Sequence, residues 1–162
     1  MTTVSPSRRS AGILLHRTRE DQLQVLLVHP GGPLWSRKDD GAWSVPKGEH
    51  AETEQPQVAA LRELHEETGL DLPDAALLDL GEIKQKSGKR VRAWAAEADF
   101  DVEHLTSNTF EMQWPPRSGK TQQFPEVDRA QWCDLETART KMIPAQTGFL
   151  DRLIQALRGH TP

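Results

Sequence analysis

The sequence predicts a mixed α/β sandwich. Two observations carry that expectation: strand-like apolar runs lie on both sides of one central helix, and a further helix stands at the end. The 162 residues suit one domain, residues 10–158, behind a polar start at residues 1–9 that is expected to be flexible. Hydrophobic residues at 36% and charged residues at 27% give a globular balance, and a formal charge of −4 supplies no basic field for duplex nucleic acid. A small charged substrate fits better. The single cysteine, Cys133, excludes an intramolecular disulfide, fits a reducing compartment, and reads as a small core residue rather than a nucleophile. Arg8 and Arg9 precede an apolar run of only residues 11–15, too short for a signal segment or a membrane span, so a soluble cytoplasmic protein is expected. Oligomeric state is left open.

Residues 11–16 and 23–29 are apolar runs separated by a charged turn at 18–22, as for two paired or neighbouring strands. His29-Pro30-Gly31-Gly32-Pro33 stops the second run. Residues 34–41 are polar except for Leu34 and Trp35, and lead into a short strand expected over 42–46. The helix follows, with Pro56 in its first turn, where a missing N–H costs little, and Gly69 supplying the left-handed residue that ends it. Residues 77–85 and 90–98 flank Lys86-Ser87-Gly88-Lys89, a turn-rich tetrad that predicts a second hairpin. Residues 106–114 read as a strand, 117–125 as an exposed aperiodic loop and 130–133 as a short strand, with helices over 135–142 and 146–157.

The central helix carries Glu63, Glu66 and Glu67 on one side, with Leu61 and Leu64 projecting away from them toward a sheet. Like charges three or four residues apart, with Cβ atoms roughly 5–6 Å from each other, destabilise a bare helix by a few tenths of a kcal/mol per pair. A hard divalent cation reverses that sign, because Mg²⁺ or Mn²⁺ seeks carboxylate oxygens and leaves part of its shell to water and phosphates.

The spacing is Gly48, five residues, Glu54, seven residues, then Arg62-Glu63-Leu64-x-Glu66-Glu67-x-Gly69-Leu70. Residues 48–70 thereby resemble the Nudix box, the loop–helix–loop of hydrolases that cleave nucleoside diphosphates linked to another group. The resemblance implies an α/β/α sandwich around a mixed sheet. It also implies that Glu63, Glu66 and Glu67 bind Mg²⁺ or Mn²⁺ and activate water, with Glu63 or Glu66 open as the proton acceptor. Arg62 would orient these carboxylates through forked hydrogen bonds, although a surface pair with Glu66 is also open. Glu54 is either the partner of Arg62 or a favourable charge at the start of the helix. Gly48 permits a tight bend, and the family analogy directs the backbone carbonyl of Lys47 toward a metal.

A further acid often comes from a late loop in this family, and Glu126 is the candidate. Residues 126–135 loosely resemble the region of asymmetrical diadenosine tetraphosphate hydrolases in which a glutamate precedes a Trp-bearing strand, here Trp132. Glu97 and Glu111 compete with it, and a plain loop carboxylate is the alternative. Lys84, Lys86, Lys89, Arg90 and Arg92 cluster on the second hairpin, with Arg117, Lys120 and Arg129 near the later loop; these cations either receive a polyphosphate or solvate a hairpin. Lys86, Arg90 and Lys47 are the expected substrate contacts. Trp35 and Trp43 bracket the approach to the box, where an indole either stacks on a base or fills the core. The six histidines show no paired metal-ligand spacing.

The expected activity is Mg²⁺- or Mn²⁺-dependent hydrolysis of a phosphoanhydride in a nucleoside polyphosphate, and the diadenosine tetraphosphate hydrolase-like branch favours dinucleoside polyphosphates. A nucleoside triphosphate pyrophosphatase is the enzymatic alternative, and a nucleotide-binding regulator without turnover belongs to another class. Hydrolysis at RNA 5′ ends is less favoured, because the net charge is negative and no basic-aromatic stripe is evident.

Overall fold

A computed structural model describes residues 9–72 and 77–159. The flexible start expected at residues 1–9 falls outside these except for Arg9, which opens the first strand. Strand β1 (Arg9–Arg19) and strand β2 (Gln22–Pro30) form an antiparallel hairpin. Glu20 and Asp21 make its two-residue turn with φ of 51° and 64°, the left-handed values whose twist matches that of the flanking strands. β1 is buried along most of its length, because helices cover both faces of the sheet at its centre.

Lys47–Glu49 forms β3, antiparallel to β1. Helix α1 (Pro56–Thr68) follows, then β4 (Leu78–Lys84) and β5 (Arg90–Glu97), the expected second hairpin. β6 (Thr109–Gln113) and β7 (Thr121–Pro125) pair as a separate two-stranded sheet, and β8 (Val127–Asp134) returns to the main one. α2 (Leu135–Lys141) and α3 (Gly148–Gly159) complete the described chain. The main sheet runs β4-β5-β1-β2-β8 with β3 beside β1, and is mixed because β1 and β5 are parallel.

Alternation along β1 sorts the core into two layers. Ala11, Ile13 and Leu15 join Leu26, Trp94 and Ala96 beneath Ala59, Ala60 and Leu64 of α1. On the other face Leu14, Val25, Leu27, Ala93, Ala95 and Cys133 pack against Phe149, Leu150 and Leu153 of α3. The α/β/α sandwich expected from the box is therefore the fold. No helix among the described residues is long and apolar enough to cross a membrane.

Two expectations are corrected. Residues 42–46 make isolated bridges, Ser44 with Val28 and Trp43 with Met142, in place of a strand. Side-chain and backbone partners from two directions take their polar groups: the Val45 N–H donates to Gln146 Oε1 at 3.0 Å and the Trp43 N–H to the Lys141 carbonyl at 2.9 Å. The loop expected over 117–125 contains β7, whose register sets Phe124 against Phe110.

Candidate active site

Pro56 occupies the first turn of α1, and Gly69 ends the helix at φ 87°, its N–H donating to the His65 carbonyl at 2.7 Å. Two further carbonyls at this end are satisfied from a distant loop: the Asn108 N–H donates to Glu66 O at 2.8 Å and the Thr106 N–H to Thr68 O at 3.2 Å. The same loop accepts the Glu126 N–H at Asn108 O (2.8 Å), while Ser107 Oγ accepts the Val127 N–H (3.0 Å). The end of the box helix thus fixes the backbone of Glu126, more than fifty residues away in sequence.

Glu63, Glu67 and Glu126 border one cleft of about 450 Å³, together with Lys47, Gly48, Glu49, Ser44 and Trp35. Glu63 and Glu67 are 8% and 7% exposed, an unusual burial for carboxylates without a full set of partners. A Cβ at position 48 would stand 2.1 Å from the Glu63 carboxyl carbon, so this glycine lets the carboxylate lie against bare backbone. Arg62 holds the opposite side. Its Nε and Nη2 donate to the two oxygens of Glu54 at 3.0 and 2.9 Å, and its Nη1 donates to Glu63 Oε1 at 2.9 Å and to both oxygens of Glu66 at 3.2 Å. Glu66 therefore faces Arg62 and is not part of the cleft wall.

Burial, then the charge of Glu63, pushes the Glu67 carboxyl up to about 9, against the opposing pull of Lys47 and a hydrogen bond from its backbone. Glu63 is raised by burial and by Glu66, with Arg62 opposing. Glu126 is raised by burial and by the charge of Glu66. Burial and the neighbouring Lys89 lower the Lys47 ammonium, while Glu67, Glu49 and Glu63 work the other way. Glu54 is lowered by its hydrogen bonds from Arg62.

The oxygen donors suit a hard divalent cation, since burial and then the neighbouring negative charge raise Glu67, Glu63 and Glu126, and such an ion would offset both. Among the described residues no group of three or more His, Cys, Asp or Glu side chains is already gathered to hold an ion. The hydrogen bonds of Glu63 and Glu66 to Arg62 show where two of these carboxylates are engaged instead.

Other expected residues are placed differently. Trp43 is 2% exposed, donates from Nε1 to Asp39 at 2.7 Å and meets His29 edge-on at 5.1 Å; it sits in the core and away from the cleft wall. Its place at the cleft goes to Trp35. Lys86 stands in the β4–β5 turn and Arg90 pairs with Glu82 at 3.6 Å, and neither borders the cleft. From that hairpin Lys89 reaches Glu49, which does border it, at 2.9 Å. Glu97 closes β5, and Glu111 on β6 accepts from Gln123 on β7, both outside the cleft wall.

Sequence reasoning missed Ser44, Glu49 and Gln146. The fully buried Gln146 accepts the Val45 N–H and donates to Ser44 Oγ at 3.0 Å and to Gln85 Oε1 at 3.2 Å, tying the residues before the box to the β4–β5 turn. A polar residue between Pro144 and the last helix carries no local sign of this.

Comparison with known proteins matches residues 6–153 to the NUDIX domain. The RNA pyrophosphohydrolase of Bartonella henselae is 26% identical over 97% of this chain and 93% of its own length. Among solved structures, a binary complex of Caenorhabditis elegans Ap4A hydrolase superposes with a TM-score of 0.64 at 22% identity, covering 93% of this chain and 98% of the other. The NUDIX domain of Shewanella oneidensis NrtR, complexed with ADP ribose, gives 0.63 at 18% identity over 95% and 90%. At these identities the two structures speak to the fold alone.

Proposed function

The chain belongs to the Nudix family, and on that premise we propose that it is a pyrophosphohydrolase of nucleoside polyphosphates with Mg²⁺ or Mn²⁺ as cofactor. The observation that carries this is the meeting of Glu126 with the box carboxylates Glu63 and Glu67 at one cleft. Those three, with Glu66 and the Lys47 carbonyl, are the groups that would hold the ion. When bound, a divalent ion neutralises phosphate oxygens and lowers the pKa of water toward about 7.

The chain's own residues supply the rest. Glu63 takes the proton from the attacking water as the new O–P bond forms and the bridging P–O bond breaks, leaving the electron pair on the departing phosphate. Its cleft position and raised proton affinity support it over Glu66, whose two oxygens accept from Arg62. Arg62 keeps the carboxylates oriented through its fork, with Glu54 bracing the guanidinium from behind. Lys47 and Lys89 are the cations best disposed toward the phosphates. The single cysteine supports a cytoplasmic setting.

Within this class, dinucleoside polyphosphates are the first substrate proposed, supported by the Glu126–Trp132 resemblance. The Bartonella relative, an RNA pyrophosphohydrolase, favours a second, RNA, with hydrolysis at its 5′ end. A product inventory separates them. Purified protein with Mg²⁺ is offered diadenosine tetraphosphate, nucleoside triphosphates and triphosphorylated RNA, and products are resolved by chromatography. ATP plus AMP from the first marks the dinucleotide reading, and pyrophosphate from RNA alone marks the second. Turnover is expected to vanish with excess chelator and return with Mg²⁺; undiminished turnover after exhaustive chelation removes the metal from the scheme. Bound but unconsumed nucleotide would make the chain a regulator.

A further inference from the structure

His29 is fully buried near the end of β2, at the point where the ladder to β8 changes register. His29 pairs with Arg129 and Pro30 with Val127, so Asp128 is the extra residue of a β-bulge. A bulge re-aims the side chain it frees, and the Asp128 carboxylate lies 2.8 Å from His29 Nδ1. On the other side of the ring Nε2 lies 2.6 Å from the Lys38 carbonyl.

Both of these neighbours are acceptors. A carbonyl oxygen has no proton to give and an ionised carboxylate has none either, so an imidazole that satisfies both carries a proton on each nitrogen. With one proton removed, the ring turns a lone pair toward one of the two oxygens and that contact opens. The carboxylate makes the stronger, charge-assisted bond, so the Lys38 carbonyl is the partner released. Three elements supply the charges around the ring. β8 brings Asp128 and Arg129, whose Nε stands 3.6 Å from that carboxylate. The loop after β2 brings Lys38 and Asp39, and the end of α2 brings Lys141, which donates to Asp39 at 2.8 Å. Arg129 and Lys141 lie over the ring of Trp43, 5.3 and 5.5 Å from its centre, and Trp43 meets His29 edge-on. Asp39 is engaged by Lys141 and by Trp43 Nε1, which leaves Asp128 as the anion that answers a charge on His29.

The bridge joins two parts of the cleft. Asp128 stands two residues after Glu126, and the Lys38 N–H donates to the carbonyl of Trp35 at 2.9 Å; Glu126 and Trp35 both border the cleft. The loop is anchored before this stretch by the Gly31 N–H on the Glu126 carbonyl and after it by Asp39. His29 grips the part between. We propose that His29 is a proton-operated latch on the cleft: doubly protonated it holds residues 32–38 against β8, and singly protonated it frees the Lys38 carbonyl and lets Trp35 leave the cleft wall. Its effect on turnover rests on the hydrolase reading above, whereas the latch itself does not.

The test begins with long-range ¹H–¹⁵N correlation spectra of the histidine rings between about pH 5 and 8, with His29 assigned through its contact with the Trp43 ring. Both His29 nitrogens should carry protons at the acid end and one should be lost as pH rises, while the backbone amides of Trp35 and Lys38 shift with the same midpoint. A ring that is singly protonated throughout, that keeps both protons throughout, or that titrates without Trp35 and Lys38 overturns the latch. Asp128→Asn is the variant of choice, because that side chain is 30% exposed and an amide oxygen still accepts from Nδ1. Without the negative charge the imidazolium is less favoured, so the midpoint should move to lower pH, and an unmoved midpoint overturns the proposal. In turnover, KM should rise about 3- to 10-fold through the wild-type midpoint, the range one hydrogen bond supplies, and the rise should be displaced to lower pH in Asp128→Asn. A KM that is flat while ring and loop titrate together overturns the latch as a device of the cleft and leaves the hydrolase reading standing. If wild type cleaves no phosphoanhydride, the hydrolase reading fails and the spectra alone decide the latch.

Discussion

Glu54 and Glu67 lie in the two halves of the box and are held in opposite states. Glu54 gives both oxygens to the fork of Arg62, and its proton affinity is lowered. Glu67, buried against Glu63 with only Lys47 in opposition, is pushed up to about 9. One residue type becomes a brace at one place and a site short of positive charge at the other. The difference is made by burial and by which cation lies nearest. An acidic cluster therefore does not act as a unit: the guanidinium consumes the charge of some members and leaves the others for a ligand.

The largest expected effect comes from removing the unsatisfied end. Glu67→Gln should lower kcat by about 100-fold or more, on the scale of losing one group that stabilises developing charge. The same change should stabilise the metal-free fold. In the folded chain Glu67 keeps its proton up to about pH 9, while the unfolded chain releases it near the ordinary 4.5. Its contribution is fully present below 4.5 and is lost as pH rises toward 9. The melting temperature of Glu67→Gln minus that of wild type should therefore grow across this window in chelator and shrink when Mg²⁺ is added. A difference that is flat with pH would show that Glu67 is ionised without metal.

Arg62→Lys attacks the brace. A lysine cannot reproduce donation to Glu54, Glu63 and Glu66 from one planar group, and loss of such outer support costs about 10- to 100-fold in activity or metal affinity. Titrating turnover against Mg²⁺ should show a raised half-saturation. Wild-type metal dependence in this variant would reduce Arg62 to a surface charge. Glu126→Gln should follow with a loss of about tenfold in kcat and a displaced limb of the pH–rate profile. Glu97→Gln and Glu111→Gln, at positions outside the cleft, serve as controls, and equal small effects in all three would return Glu126 to an ordinary loop acid. Glu54→Gln should be the mildest, about threefold or less, since Arg62 keeps Glu63 and Glu66 as partners.

What was legible in the sequence is what local rules govern. The helix start at Pro56, its end at Gly69, both hairpins and the helices after β8 follow from turn residues and periodicity, and the box spacing put Arg62, Glu63 and Glu67 on one helix. β7 was hidden because Thr121-Gln122-Gln123-Phe124-Pro125 shows one partly buried side chain and otherwise faces solvent, leaving no alternation to detect. Trp43 misled because its neighbours in sequence belong to the approach, while its partners, His29 and Met142, come from β2 and the end of α2. Gln146 was invisible for the same reason, its value lying in contacts to Ser44 and Gln85. The pairing of β1 with β5 likewise joins residues about eighty apart, beyond the reach of any turn signal.

The antiparallel pairing of β2 with β8 has a consequence for the order of events at the ribosome. His29 on β2 meets Arg129 on β8, so one hundred residues must emerge between the two halves of that ladder. The box is translated well before then, yet Glu126 immediately precedes β8 and Gly31 immediately follows β2. A nascent chain stopped short of β8 would carry every glutamate of the box and Glu126 itself, an open edge along Val25–Val28, and no ladder to hold Glu126 at the far side of the cleft. The cleft that brings Glu126 to Glu63 and Glu67 is thus closed by β8, the last strand among the described residues, at the same moment that the exposed edge of the sheet is covered.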